Sequence, residues 1–171
     1  MGHRVVSGLV WARACERPSS IPIGRPRGVK RLGLLYEKSL AAAFGSRAFA
    51  GKWFEFLDHS GPGWCQPDLI FARNKVIFVL ECKYTWTPQG HSQIEQLYKP
   101  VLELAFGVPV VGIQVCKRLV PEIPRTTWVT GDLEQAMNYA ARSPNKIHAN
   151  VCWQWLGGEV VTLGEVGRGA A

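Results

Sequence analysis

Asp68, Glu81 and Lys83 are the residues of this chain whose types and spacing could do chemistry. Asp68 opens one β-rich run, residues 68–71, and Glu81 lies near the end of the next, residues 76–83, with Ala72, Arg73, Asn74 and Lys75 as a polar stretch between them. Two such runs on a short loop read as an antiparallel hairpin, which sets the start of the first strand beside the end of the second. The carboxylates of Asp68 and Glu81 are therefore expected close together. Side chains alternate along a strand, so Glu81 and Lys83 share a face while Cys82 points to the other. Paired carboxylates invite a divalent ion, and hard oxygen donors suit Mg²⁺, with Mn²⁺ as a substitute; Mg²⁺ takes one or two protein carboxylates along with waters and phosphate oxygens. Such an ion polarises a phosphate and acidifies a bound water, and a neighbouring ammonium can orient that water or offset charge on the phosphorane. Phosphodiester hydrolysis is the chemistry this set could perform. The same residues admit a plainer reading, an ion pair of Lys83 with Asp68 at a solvated strand end, of a kind worth little.

Positioning these groups requires a sheet and its covering helices. Residues 76–80 carry no polar side chain, as in a strand covered on both faces near the middle of a sheet. Residues 32–44 place apolar side chains at helical spacing before Gly45, and this first helix carries Glu37. Residues 53–57 alternate as a half-buried strand, followed by a turn over 59–64. A second helix is expected over residues 92–106, with Ser92 and Glu95 as a capping box and Gly107 as its stop. An apolar strand over residues 108–115 follows, reached by a β-α-β crossover. The order is α, β, β, β, α, β. Beyond residue 121 the expectation is an extension packed on the core, with a short helix over 132–141 and strands over 151–156 and 160–163 around a Gly157-Gly158 turn. Trp153 and Trp155 share a strand face there, placed either to fill the core or to stack on bases.

Pro67-Asp68 followed by Glu81-Cys82-Lys83 after an apolar strand resembles the PD-(D/E)xK nuclease superfamily, and the element order is similar to its core. The stretches "KRLGLLYEKSLAAAF", "QPDLIFARNKVIFVLECK" and "SQIEQLYKPVLELAFGVPVVGIQV" are most similar to archaeal-type Holliday junction resolvases and their phage relatives, over roughly residues 30–117. The resemblance implies an α/β, restriction-endonuclease-like αβββαβ core with a central mixed sheet flanked by helices. It implies Asp68, Glu81 and the backbone carbonyl of Cys82 as metal ligands, Lys83 as the catalytic lysine, and Glu37 completing the acidic cluster. Gln93 or Gln96 matches the polar residue that many members place near the site, although the QxxxY spacing is not met: Gln93 precedes Tyr98 by five residues and Gln96 by two. A homodimer acting on DNA, with branched or Holliday-junction DNA as the structure-selective substrate, is the implied assembly.

Charge agrees with a polyanionic partner. The chain carries +7, of which +6 falls in the first 31 residues, where seven basic residues face only Glu16. Residues 1–29, rich in proline, glycine and arginine, read as a flexible basic arm outside a folded core over 30–120, with Arg25, Arg27, Lys30 and Arg31 as candidate phosphate contacts. A solvated tail is the alternative. Five cysteines without a CxxC pair suggest reduced thiols in a cytosol, the host's if the gene is a phage's. No apolar run reaches the roughly 18 residues of a membrane span. His59, Cys65, Cys82 and His91 fit no compact zinc spacing, and GxSxG and GxxxxGK[ST] are both missing. A second function class stays open: a nuclease-like fold that only binds nucleic acid or scaffolds an assembly.

Overall fold

A computed structural model of the chain describes residues 4–24, 27–142 and 150–163. Its order is β1 (Trp11–Cys15), α1 (Val29–Phe44), a 3₁₀ turn (Gly45–Arg47), β2 (Phe49–Ala50), β3 (Trp53–Asp58), β4 (Gly61–Cys65), β5 (Leu69–Arg73) and β6 (Val76–Thr85). Then come α2 (Pro88–Gln93), a π-turn (Ile94–Tyr98), α3 (Lys99–Phe106), β7 (Val110–Arg118), β8 (Thr127–Thr130), α4 (Leu133–Arg142) and β9 (Asn150–Gln154). The architecture is α/β, with a mixed central sheet of strand order β2-β5-β6-β7-β9-β8 flanked by helices. β2, β5 and β6 pair antiparallel; β6, β7, β9 and β8 run parallel.

The unbroken apolar run of β6 sits inside the sheet because both of its faces are covered. Phe78, Leu80 and Cys82 pack with Tyr36, Leu40 and Phe44 of α1 and with Leu133, Ala136 and Met137 of α4. Val79 packs on the other face with Ile94, Leu97 and Tyr98 of the π-turn, Val101 and Leu102 of α3, and Phe54 and Phe56 of β3. Fully burying one such side chain is worth about 1.5–3 kcal/mol, so these two apolar layers hold the hairpin that carries Asp68 and Glu81.

Four expectations are corrected. The strand expected over residues 53–57 exists, but it belongs to a separate three-stranded sheet, β1-β3-β4, and only the two-residue β2 pairs with β5. Residues 61–65, expected as part of a turn, form β4. The segment read as a flexible arm contributes β1, which pairs with β3 from Trp11 opposite Leu57 to Cys15 opposite Trp53, and Arg4 forms an ion pair with buried Asp58. The region expected as an extension beyond residue 121 instead supplies β8 and β9 to the central sheet, while residues 160–163 form no strand. Trp153 and Trp155 are buried in the α1 layer and are not placed to stack on bases.

Candidate functional site

The β5–β6 hairpin turns on Asn74 and Lys75, both with left-handed φ of 52° and 62°. Two consecutive residues in that conformation make a type I′ turn, whose twist matches that of the flanking strands. Register follows from the turn: Arg73 stands opposite Val76 and Leu69 opposite Leu80. One step beyond that last pair lie Asp68 and Glu81. Asp68 Oδ2 accepts the backbone N–H of Cys82 at 2.7 Å, which fixes the carboxylate against the end of β6. Glu81 is 2% exposed, its Oε1 accepts from Lys83 Nζ, its carboxyl lies beside the Tyr98 hydroxyl and the Asp68 carboxyl, and its Oε2 is buried without a well-directed hydrogen bond.

The second helix brings two more groups. It begins four residues before the expected start, with Thr87 capping the N–H of Gln89 at 3.1 Å and Pro88 in the first turn. The Ser92–Glu95 capping box is therefore not the helix start. Gln93 Oε1 stands 3.4 Å from Lys83 Nζ, its amide donates to the Tyr98 hydroxyl, and that hydroxyl donates to the Gln66 carbonyl at 3.1 Å. Residues five apart do not share a face of a regular α-helix, where neighbours are three and four apart. The π-turn over Ile94–Tyr98 absorbs the extra residue and brings Gln93 and Tyr98 together. A glycine seats this turn: a Cβ on Gly112 of β7 would lie 2.0 Å from Ile94 Cγ2.

α1 covers the opposite side of the sheet, where its Tyr36 and Leu40 pack with Cys82, and the charge of its Glu37 is felt at Asp68. Burial, then the charges of Glu81 and Glu37, hold the Asp68 carboxyl well above its ordinary value, partly offset by the Cys82 N–H. Burial also raises Glu81 against the pull of Lys83, and burial followed by the charge of Glu81 raises Glu37. Burial disfavours the Lys83 ammonium, but the Glu81 carboxylate outweighs it and the lysine is net raised. Lys83 draws on all three carboxyls, and Lys38 acts on Glu37 as well.

Among the described residues no group of three or more His, Cys, Asp or Glu side chains is close enough to hold a metal ion. The Asp68 and Glu81 carboxylates are the groups at the hairpin end that could meet a cation, while Glu37 acts on Asp68 through its charge. Two carboxylates, one with a buried oxygen lacking a well-directed hydrogen bond, fit a hard divalent ion that takes only one or two protein carboxylates. The Cys82 thiol packs in the α1 layer and is no ligand on this face.

No family model matches the chain, and no curated protein or solved structure matches it either. Gln93 is the glutamine that faces Lys83; Gln96 is exposed, and its carbonyl accepts from Val6 N at 3.0 Å. Arg25 lies outside the described residues. Arg27, Lys30 and Arg31 are exposed around the start of α1, and Lys30, two turns before Glu37, lies on the same stripe about 10 Å away. Tyr98 and Gln66 are members that the sequence did not single out for the site. The Gln93–Tyr98 spacing held a signal, but only a π-turn makes it readable. No helix among the described residues is long and apolar enough to cross a membrane.

Proposed function

We propose that this chain is a Mg²⁺-dependent DNA endonuclease of the PD-(D/E)xK type, acting as a homodimer, with branched or Holliday-junction DNA as its substrate class. The observation that carries the reading is the meeting of Asp68, Glu81 and Lys83 at one end of a two-faced buried strand, with an oxygen of Glu81 buried and lacking a well-directed hydrogen bond. A buried carboxylate oxygen left without a good hydrogen bond is costly in a purely structural cluster. It is intelligible in a site that a cation and a phosphate complete. The hairpin, the helix bearing Glu37, the helical crossover and parallel β7 further support a restriction-endonuclease-like core, in which β2 would serve as the third antiparallel strand.

A bound Mg²⁺ supplies positive charge that polarises the scissile phosphate and acidifies a water. Asp68, Glu81 and the Cys82 carbonyl would hold it. Lys83 would then be released from Glu81 to orient the attacking water or meet charge on the phosphorane. Gln93, anchored through Tyr98 to Gln66, restricts where the ammonium can swing. Arg27, Lys30 and Arg31 would neutralise backbone phosphates and set the DNA across α1.

The test is cleavage of labelled four-way junction, flap, duplex and single-stranded DNA, with Mg²⁺ or chelator, by wild type and Lys83→Ala. Metal-dependent cutting that Lys83→Ala abolishes while DNA binding persists is the expected result, and the ranking of substrates names the subclass. Salt-dependent binding without cutting on any DNA would replace the enzyme with a binding or scaffold protein.

A further inference from the structure

The sheet face that holds Glu81 continues into a second feature. Glu81 of β6 pairs in register with Gln114 of β7, and Gln114 with Cys152 of β9, so the three form a row with about 4.8 Å between neighbours. Beside this row lies a cavity of about 200 Å³ whose wall includes Trp86, His91, Gln114, Pro124, Thr127 and Asn150. That volume is several times the roughly 30 Å³ share of one liquid water, so a single bridging water would not fill it.

Three polar atoms of the lining residues are buried without a partner: Trp86 Nε1, Thr127 Oγ1 and Asn150 Oδ1. Trp86 is 8% exposed and Gln114 3%. The Gln114 amide is fixed by donating to the Thr87 carbonyl at 2.9 Å, and Gly90 leaves it room, since a Cβ there would lie 2.6 Å from Gln114 Nε2. No carboxylate, lysine or arginine lines the cavity among the described residues, and burial pushes His91 below its ordinary value. The described lining therefore gives no counter-charge to a phosphate or a metal ion. Its residues carry an indole, a hydrogen-bond donor, an acceptor and a hydroxyl, the three polar atoms lying just behind the accessible wall.

A flat heterocycle with donors and acceptors along its edge matches that inventory. We infer that the cavity receives one unstacked nucleobase of the DNA whose backbone lies at Asp68 and Glu81, an inference that rests on the nuclease reading. The base stacks on Trp86, Trp86 Nε1–H donates to a ring nitrogen or carbonyl, and Asn150 Oδ1 accepts from an amino or imino N–H. The three orphaned atoms are out of reach of water, so the wall opens slightly to admit the base. Its neighbourhood to Glu81 suits a nucleotide adjoining the scissile phosphate, and branched DNA supplies bases that are already partly unstacked.

The test follows the Trp86 indole N–H resonance in ¹⁵N-labelled full-length protein, assigned by its loss in Trp86→Phe. The probes are a short single-stranded oligonucleotide and its abasic counterpart. The expected result is a downfield shift with the base-bearing strand alone, and affinity about 5-fold weaker in Asn150→Ala, the effect of one lost hydrogen bond. An unmoved resonance, or equal shifts with both strands, overturns the base pocket. Cleavage of junction and flap DNA measured on the same preparation separates the two readings. Cutting with an unmoved Trp86 sinks only the pocket, whereas a shifted Trp86 without cutting sinks only the nuclease and leaves a base-binding site in a non-cleaving protein.

Discussion

Asp68→Asn should make the metal-free protein more stable at neutral pH while removing its response to Mg²⁺. Asparagine keeps an oxygen to accept the Cys82 N–H and deletes one charge that is repelled by Glu81 and Glu37 and only partly offset by Lys83. Directly opposed strand residues have Cβ atoms about 5 Å apart, and two like charges at that separation repel by about 3 kcal/mol at an effective dielectric of about 20. Lys83 offsets part of this, leaving a net gain of about 1–2 kcal/mol, or a Tm rise of about 2–8 °C for a domain of this size. The sign with pH follows from the raised Asp68, Glu81 and Glu37 carboxyls. Groups that hold their protons more tightly when folded leave the fold unstrained below the ordinary carboxyl range, and they destabilise it progressively as pH rises through their raised values. Wild-type Tm, followed by circular dichroism in chelator, should therefore drop across mildly acidic to neutral pH, and Asp68→Asn should flatten that drop. Mg²⁺ at 100 times its Kd should restore about 2.7 kcal/mol to wild type and little to the variant. A variant less stable than wild type at neutral pH, or one equally stabilised by Mg²⁺, would refute the reasoning.

Three further outcomes can be checked directly. Tyr98→Phe leaves the Gln93 amide and the Gln66 carbonyl short of a partner, so denaturant titration should give a loss of about 1–3 kcal/mol; cleavage should fall about tenfold in kcat as Lys83 loses its anchored neighbour. Gly112→Ala drives a methyl into Ile94 and should cost about 1–3 kcal/mol in denaturant melts, with the π-turn and the Gln93 position disturbed together. Replacing Arg27, Lys30 and Arg31 by alanine should weaken DNA binding across all sequences, and the slope of log K against log salt should fall by about 0.9 for each phosphate that is no longer neutralised.

The hairpin was legible because two apolar runs around a four-residue polar stretch specify both pairing and turn, and its register alone sets Asp68 next to Glu81. α1 and α3 were legible from helical spacing and from the glycines that follow them. The start of α2 was not, since Ser92 and Glu95 mimic a capping box while Thr87 and Pro88, the true start, adjoin the strand end. A π-turn leaves no mark in apolar periodicity, so the alignment of Gln93 with Tyr98 is visible only in the folded chain. β4 has the sequence Gly-Pro-Gly-Trp-Cys and reads as a turn; only its pairing with β3 makes it a strand. β1 was hidden by its arginine-rich setting and exposed residues, and the central-sheet membership of β8 and β9 depends on long-range pairing that no local pattern encodes.

The placement of β9 between β7 and β8 bears on how the chain is assembled during synthesis. The β5–β6 hairpin and the helices up to α3 are complete in sequence before residue 110, and β7 can join β6 soon afterwards. The far edge of β7 then stays unpaired until residues 150–154 have left the ribosome, because β8, though made earlier, pairs with β9 and not with β7. An apolar parallel edge open for that interval is a site for mispairing with another chain. Pauses in translation between β7 and β9 would therefore lower the yield of folded protein without altering a single residue of the finished site.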